Sequence, residues 1–144
     1  MIEYIIITHG SLALELLKTC EMIIGKQDRV YIITVQTGAS LQNIADELDK
    51  IIENSKENGI IIFTDMFGGS PSNIAMSYLK NDDVEVVTGV NLPMLIKAFA
   101  LRQESESIGE ISKLCAEAGK NSIRIAKELL GYAKKKSYLE LMID

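Results

Sequence analysis

Four short apolar runs alternate along the chain with longer amphipathic segments. The runs are residues 4–8, 30–35, 60–64 and 84–88, and isoleucine, valine and threonine dominate them. Near-continuous runs of this kind are typical of strands buried on both faces of a parallel sheet. Each segment between them is long enough to carry a crossover helix. The alternation therefore predicts an α/β fold with a four-stranded, mainly parallel sheet.

The segments between the runs carry the signals of helix ends. Residues 11–24 have apolar side chains at helical spacing, and Ser40 is placed to cap a second helix. Ser70 suits the N-cap of a third helix, and Pro71 suits its first helical position. The same signals predict two further helices, one beginning near Pro93 and one over residues 107–119.

The last quarter of the chain fits two local structures. Residues 121–126 alternate like a strand, but Ile123 and Leu130 are also placed as a helix would place them. Residues 138–143 are apolar enough for a terminal edge strand. The chain is thus predicted to be a single domain over residues 1–144, with the structure of segment 120–144 left open.

Charge and composition exclude several classes of protein. The net charge is −5 and 47% of the residues are apolar, so we expect a globular chain that does not bind nucleic acid. No apolar run approaches the roughly 20 residues of a membrane helix, and the start lacks the basic segment of an export signal. We therefore expect a cytoplasmic location and no direct insertion into the membrane. One histidine and two distant cysteines, Cys20 and Cys115, predict buried, reduced thiols and neither a metal nor an organic cofactor.

A histidine, an aspartate and a glycine-rich loop fall at one edge of the predicted sheet. His9, the only histidine, follows the first apolar run, and Asp65 follows the third. If these two strands are adjacent, the carboxylate reaches the ring, fixes the Nδ1–H tautomer and leaves Nε2 free to attack. Gly68, Gly69 and Ser70 enter a helix whose N-terminal N–H groups suit a phosphoryl group. Each of these residues alone also fits a turn or cap, but together they indicate phosphoryl transfer to a histidine.

The site is not accompanied by a nucleotide-binding motif. The sequence contains no Walker loop, no kinase signature and no GxGxxG fingerprint. We therefore expect the phosphoryl donor to be another phosphoprotein rather than ATP.

Three motifs stand in a fixed order along the chain: THG at residues 8–10, FTDMFGGSPSN at residues 63–73 and TGVNLPML at residues 88–95. In order and spacing they resemble the IIA components of the mannose family of the bacterial sugar phosphotransferase system. Phe67 stands where relatives often have a tryptophan.

The resemblance implies a fold, partners and roles for particular residues. It implies a doubly wound sheet with helices on both faces, and a homodimer that exchanges a fifth, antiparallel edge strand from the C-terminal segment. His9 would take a phosphoryl group at Nε2 from the phosphocarrier protein HPr and pass it to the IIB component. IIB phosphorylates the sugar, so the membrane components IIC and IID are met only indirectly. Asp65 matches the orienting aspartate, and Ser70 matches the serine near the phosphoryl group. Independently of the resemblance, the apolar side chains Met66, Phe67 and Leu92 are expected to contact the partner proteins if they are exposed rather than core residues.

Two other functions fit the same residues. One is the phosphotransfer subunit of a dihydroxyacetone kinase, which passes phosphate to a nucleotide bound on a kinase subunit. The other is a non-catalytic regulatory module on the same fold, which would take no phosphoryl group from HPr. The sugar itself has no signature in this chain.

Overall fold

The computed structural model describes residues 1–55 and 58–131, which form a four-stranded sheet and six helices. The strands are β1 (Glu3–His9), β2 (Val30–Val35), β3 (Ile60–Thr64) and β4 (Val84–Thr88). The helices are α1 (Leu12–Ile24), α2 (Leu41–Asn54), α3 (Ser70–Met76), α4 (Leu92–Leu101), α5 (Ile108–Asn121) and α6 (Ala126–Gly131). The last three strands have the predicted bounds, and β1 is one residue longer than predicted at each end.

The strands are all parallel and lie in the order β2-β1-β3-β4. The chain leaves β1 towards one side of the sheet and leaves β3 towards the other, so the winding direction changes between these two strands. In open α/β sheets, ligands bind at the carboxyl ends of the strands at such a switch point. The residues that follow β1 and β3 therefore lie where a ligand site is expected.

Two apolar clusters hold helices against both faces of the sheet. On one face, α1, α4 and α5 share a cluster with Tyr4 and Phe63. On the other face, α2 and α3 share a cluster with Ile5, Ile7 and Ile62. Full burial of one such side chain stabilises the fold by about 1.5–3 kcal/mol. The predicted doubly wound α/β architecture is confirmed. The loops at the edge of the sheet are anchored by its packed strands.

Both cysteines lie in the first of these clusters. Cys20 and Cys115 are fully buried and free, as the sequence predicted. Burial raises the pKa of each thiol to about 11, so both are protonated at neutral pH.

The start of α3 differs from the sequence prediction. Gly69, not Ser70, is the N-cap, and Ser70 and Pro71 are the first two helical residues. A Cβ at residue 69 would lie only 2.9 Å from Cε1 of His9, so close packing against the ring favours glycine at this cap. Pro71 is tolerated in this first turn because the N–H groups there have no intrahelical partner.

The C-terminal quarter is helical as far as it is described. Residues 121–126 do not form a strand, because α5 continues to Asn121 and α6 begins at Ala126. The predicted strand over residues 138–143 and its exchange between subunits lie outside the described residues and stay predictions. Among the described helices, none has the length and apolar character needed to cross a membrane.

Candidate active site

His9 and Asp65 lie side by side at the switch point of the sheet. His9 is the last residue of β1, and Asp65 directly follows β3. The two strands pair in parallel, with Ile7 opposite Thr64, so their carboxyl ends meet at one edge. The adjacency on which the sequence prediction depended is therefore present.

The Asp65 carboxylate holds His9 through two contacts. Its Oδ2 lies 2.7 Å from Nδ1 of the ring and accepts the His9 backbone N–H at 3.0 Å. Its other oxygen, Oδ1, accepts the Met66 backbone N–H at 2.9 Å. An ionised carboxylate only accepts hydrogen bonds, so the neutral ring carries its proton on Nδ1. Within residues 1–55 and 58–131, Nε2 has no hydrogen-bond partner, and the His9 side chain is 51% exposed.

The same contacts keep Asp65 ionised. Burial acts to raise the pKa of this carboxyl, but the hydrogen bonds from the His9 ring and backbone, the electrostatic interaction with His9 and the hydrogen bond from the Met66 N–H outweigh it. The pKa therefore lies below its ordinary value of 3.8. Asp65 thus presents a negative charge to the ring, and a carboxylate in this position stabilises the positive form of an imidazole.

The glycine-rich loop approaches the His9 ring from the side of α3. Gly68 has a φ of +88°, a conformation that side chains other than glycine rarely adopt. This turn carries Gly69 against the ring and leaves Ser70 exposed at the rim of a cavity beside His9. The described hydrogen bonds do not link Ser70 to His9. Of the three loop residues, Gly69 is the one packed directly on the ring.

The cavity beside His9 has a volume of about 340 Å³. Its lining combines the loops after β1 and β2 with the start of α3, including His9, Thr37, Gly38 and Ser70. The loop after β4 instead lines a separate cavity with α5. Three of the four edge loops thus converge on the histidine.

The apolar side chains predicted to contact partners differ in exposure. Phe67 is 72% exposed and Met66 is 55% exposed, and both belong to the loop that carries Asp65. Leu92 is partly buried against the cluster of α1, α4 and α5, so it is also a packing residue. Phe67 is therefore the best placed of the three for a docking contact.

Sequence reasoning missed two buried hydroxyl groups that support the site. Thr8 Oγ1 accepts the Ala13 N–H at 2.9 Å and so ties the start of α1 to the end of β1. Ser72 is fully buried and contacts both Thr64 and the Met66 carbonyl. The available signal was a threonine near the end of an otherwise apolar strand, Thr8 itself in β1 and Thr64, the partner of Ser72, in β3. Sequence alone cannot separate such a threonine from ordinary β-propensity.

Together, the fold and the site define a doubly wound α/β protein with a histidine–aspartate pair at its switch point. A family model described as "PTS system fructose IIA component" matches residues 3–115. The chain therefore belongs to this family, the IIA components of the sugar phosphotransferase system, and the resemblance found in its motifs is confirmed.

Individual relatives agree with this assignment. The chain is 31% identical over 128 residues to the mannose-specific EIIAB component of Escherichia coli (strain K12), covering 88% of this chain but 40% of that protein. It is 29% identical over 105 residues to the fructose-specific EIIA component of Bacillus subtilis, covering 72% of each. A crystal structure of phosphotransferase system component EIIA from Streptococcus agalactiae superposes with a TM-score of 0.83 at 26% identity, covering 89% of this chain and 99% of that one.

Proposed function

We propose that this protein is a cytoplasmic phosphorelay protein of a sugar uptake system. It accepts a phosphoryl group from phosphorylated HPr on Nε2 of His9 and passes that group to a IIB component. The observation that carries this proposal is the 2.7 Å contact between Asp65 Oδ2 and His9 Nδ1, which leaves the exposed Nε2 as the reactive nitrogen. Membership of the IIA family supports the same function.

The geometry supports a direct displacement at phosphorus. The Nε2 lone pair attacks the phosphoryl group of the donor, a new N–P bond forms, and the donor nitrogen leaves with the electrons of the old bond. The ring keeps its proton on Nδ1 and becomes positive, so the ionised Asp65 carboxylate stabilises the product state. Transfer to IIB reverses these steps and returns His9 to the neutral tautomer. Since little else changes covalently, positioning and charge stabilisation account for most of the rate enhancement.

The loop of Gly68, Gly69 and Ser70 is proposed to receive the phosphoryl oxygens. The first turn of a helix leaves backbone N–H groups without intrahelical partners, and such groups bind anions well. The close packing of Gly69 on the His9 ring supports this role. Ser70 adds a hydroxyl at the rim of the cavity.

HPr and IIB are proposed to dock in turn on the surface around His9. A relay protein must release each partner after transfer, so the interfaces are expected to be small and short-lived. Phe67 is the proposed centre of this contact, with Leu92 at its margin. The homodimer stays part of the proposal, with the membrane components IIC and IID reached only through IIB.

A two-step transfer experiment tests the function. The protein is incubated with phosphorylated HPr, separated from it, and then mixed with a IIB component or with ADP and a dihydroxyacetone kinase subunit. The relay function predicts uptake of a phosphoryl group followed by its appearance on IIB. Delivery to the nucleotide would instead identify the protein as the phosphotransfer subunit of a dihydroxyacetone kinase. Absence of uptake would identify it as a non-catalytic regulatory module.

A further inference from the structure

The hydroxyl of Ser72 connects the two residues that flank Asp65. Ser72 Oγ donates a hydrogen bond to the carbonyl of Met66, and it lies 2.6 Å from Oγ1 of Thr64. Thr64 and Ser72 are both fully buried, so water does not replace the contact between their two hydroxyl groups. The residue before Asp65 and the residue after it therefore share one partner on α3.

The direction of these hydrogen bonds follows from proton counting. A serine hydroxyl has one proton, and that of Ser72 is used on the Met66 carbonyl. Thr64 must then donate its own proton to Ser72 Oγ. The result is a chain of hydrogen bonds from Thr64 through Ser72 to Met66. The backbone N–H of Met66 in turn donates a hydrogen bond to Asp65 Oδ1 at 2.9 Å.

We infer that Ser72 is a positioning residue that aims the Asp65 carboxylate at His9. It has no hydrogen bond to the ring, and it acts by tying the Thr64 side chain and the Met66 carbonyl, one residue on each side of the aspartate, to α3. Loss of its hydroxyl frees the Met66 carbonyl and allows the turn to rotate, so Oδ2 no longer lies at 2.7 Å from Nδ1. The effect on transfer rests on the proposed function, whereas the effect on the ring tautomer does not.

The test compares substitutions of two serines, Ser72 within α3 and Ser77 directly after the last residue of that helix. Ser72→Ala removes the chain, whereas Ser77→Ala removes an equivalent hydrogen bond, from Ser77 Oγ to the Ile74 carbonyl at 2.6 Å, in the exposed last turn. For each variant, ¹⁵N NMR of His9 gives the population of the Nδ1–H tautomer, and rapid-quench kinetics give KM and kcat with phosphorylated HPr. Thermal unfolding confirms that each variant folds.

Ser72→Ala is expected to shift the tautomer population towards Nε2–H and to lower kcat by about tenfold, the size of one lost hydrogen bond. KM for phosphorylated HPr should stay unchanged, and Ser77→Ala should match the wild type in all three readings. A wild-type tautomer population together with a wild-type kcat in Ser72→Ala overturns the inference. If the wild type takes up no phosphoryl group, the proposed function fails and the tautomer measurement alone decides the role of Ser72.

A second substitution keeps the test decisive if Ser72→Ala does not fold. Thr64→Val preserves the shape of the side chain and removes only the hydrogen bond that Thr64 donates to Ser72. It should also shift the His9 tautomer, by less than Ser72→Ala, because the bond to the Met66 carbonyl remains. An unchanged population of the Nδ1–H tautomer in a folded Thr64→Val protein would overturn the proposed hydrogen-bond chain.

Discussion

His9 and Asp65 are 56 residues apart in sequence and 2.7 Å apart in the fold, with one carboxylate oxygen contacting both the ring nitrogen and the backbone N–H of the histidine. This arrangement depends on the parallel pairing of β1 with β3, which aligns the two strand ends. It fixes which ring nitrogen is protonated and which is free to react.

Asp65→Asn should leave His9 as the phosphorylation site but slow its reaction. The substitution keeps the size of the side chain and removes the negative charge that stabilises the positive ring. Transfer from phosphorylated HPr should fall by about 10²- to 10⁴-fold, the usual range for lost acid–base or orienting help. Asp46→Asn, on the exposed surface of α2, makes the same change of charge and should react at the wild-type rate. A full rate in Asp65→Asn would remove the carboxylate from the mechanism.

The stability of the fold should depend on Asp65 at acidic pH. Its folded-state pKa lies below the ordinary value of 3.8, so its stabilising contribution is complete above that value and is lost as the pH falls through the folded-state pKa. Chemical denaturation of the wild type and of Asp65→Asn from pH 5 downwards measures this contribution. The difference between their free energies of unfolding should shrink as the pH is lowered. A difference that stays constant over this range contradicts the pKa shift.

Gly69→Ala should disturb the reactive ring while leaving the fold intact. The new Cβ would lie 2.9 Å from Cε1 of His9, so the ring must move away from its place beside Asp65. A displacement of about 1 Å costs up to about 10²-fold in rate. Gly109→Ala is the matched control, because its Cβ would meet no atom within 4 Å. Equal transfer rates for the two variants would show that the ring tolerates the added methyl group.

Phe67→Ser should weaken docking without destabilising the protein. The side chain is 72% exposed, so its removal costs little core packing. We expect a raised KM for phosphorylated HPr with kcat nearly unchanged. Met22→Ser, which alters a side chain that is 85% exposed at the far end of α1, should have no effect. If both variants keep the wild-type KM, Phe67 lies outside the interface.

Much of the fold was predictable from the sequence because the central strands β1 and β3 are buried on both faces and the edge strands β2 and β4 are buried in part. That burial requires long apolar runs, and the bounds of β2, β3 and β4 follow them residue by residue. The start of α3 was harder to predict. Serine is the usual N-cap, but the N-cap here is set by the approach of the His9 ring to Gly69, a tertiary contact that local sequence does not contain.

The site was predictable to the extent that its residues end strands. His9 and Asp65 each follow an apolar run, so parallel topology was enough to place them at one edge. Ser72 was missed because its role comes from burial beneath the turn and from contacts with Thr64 and Met66. For Leu92 the sequence left a surface and a core position both open, and the side chain packs partly against the core.

In the proposed relay, Nε2 of His9 carries the phosphoryl group. The most direct measurement is incubation of the wild type and of His9→Ala with phosphorylated HPr, followed by intact-mass analysis and by treatment with acid or base. The wild type should gain a single phosphoryl group that is labile in acid and stable in base, and ³¹P–¹⁵N NMR should locate it on Nε2. His9→Ala should gain none. Phosphorylation of the His9→Ala protein, or a wild type that stays unmodified, contradicts the account.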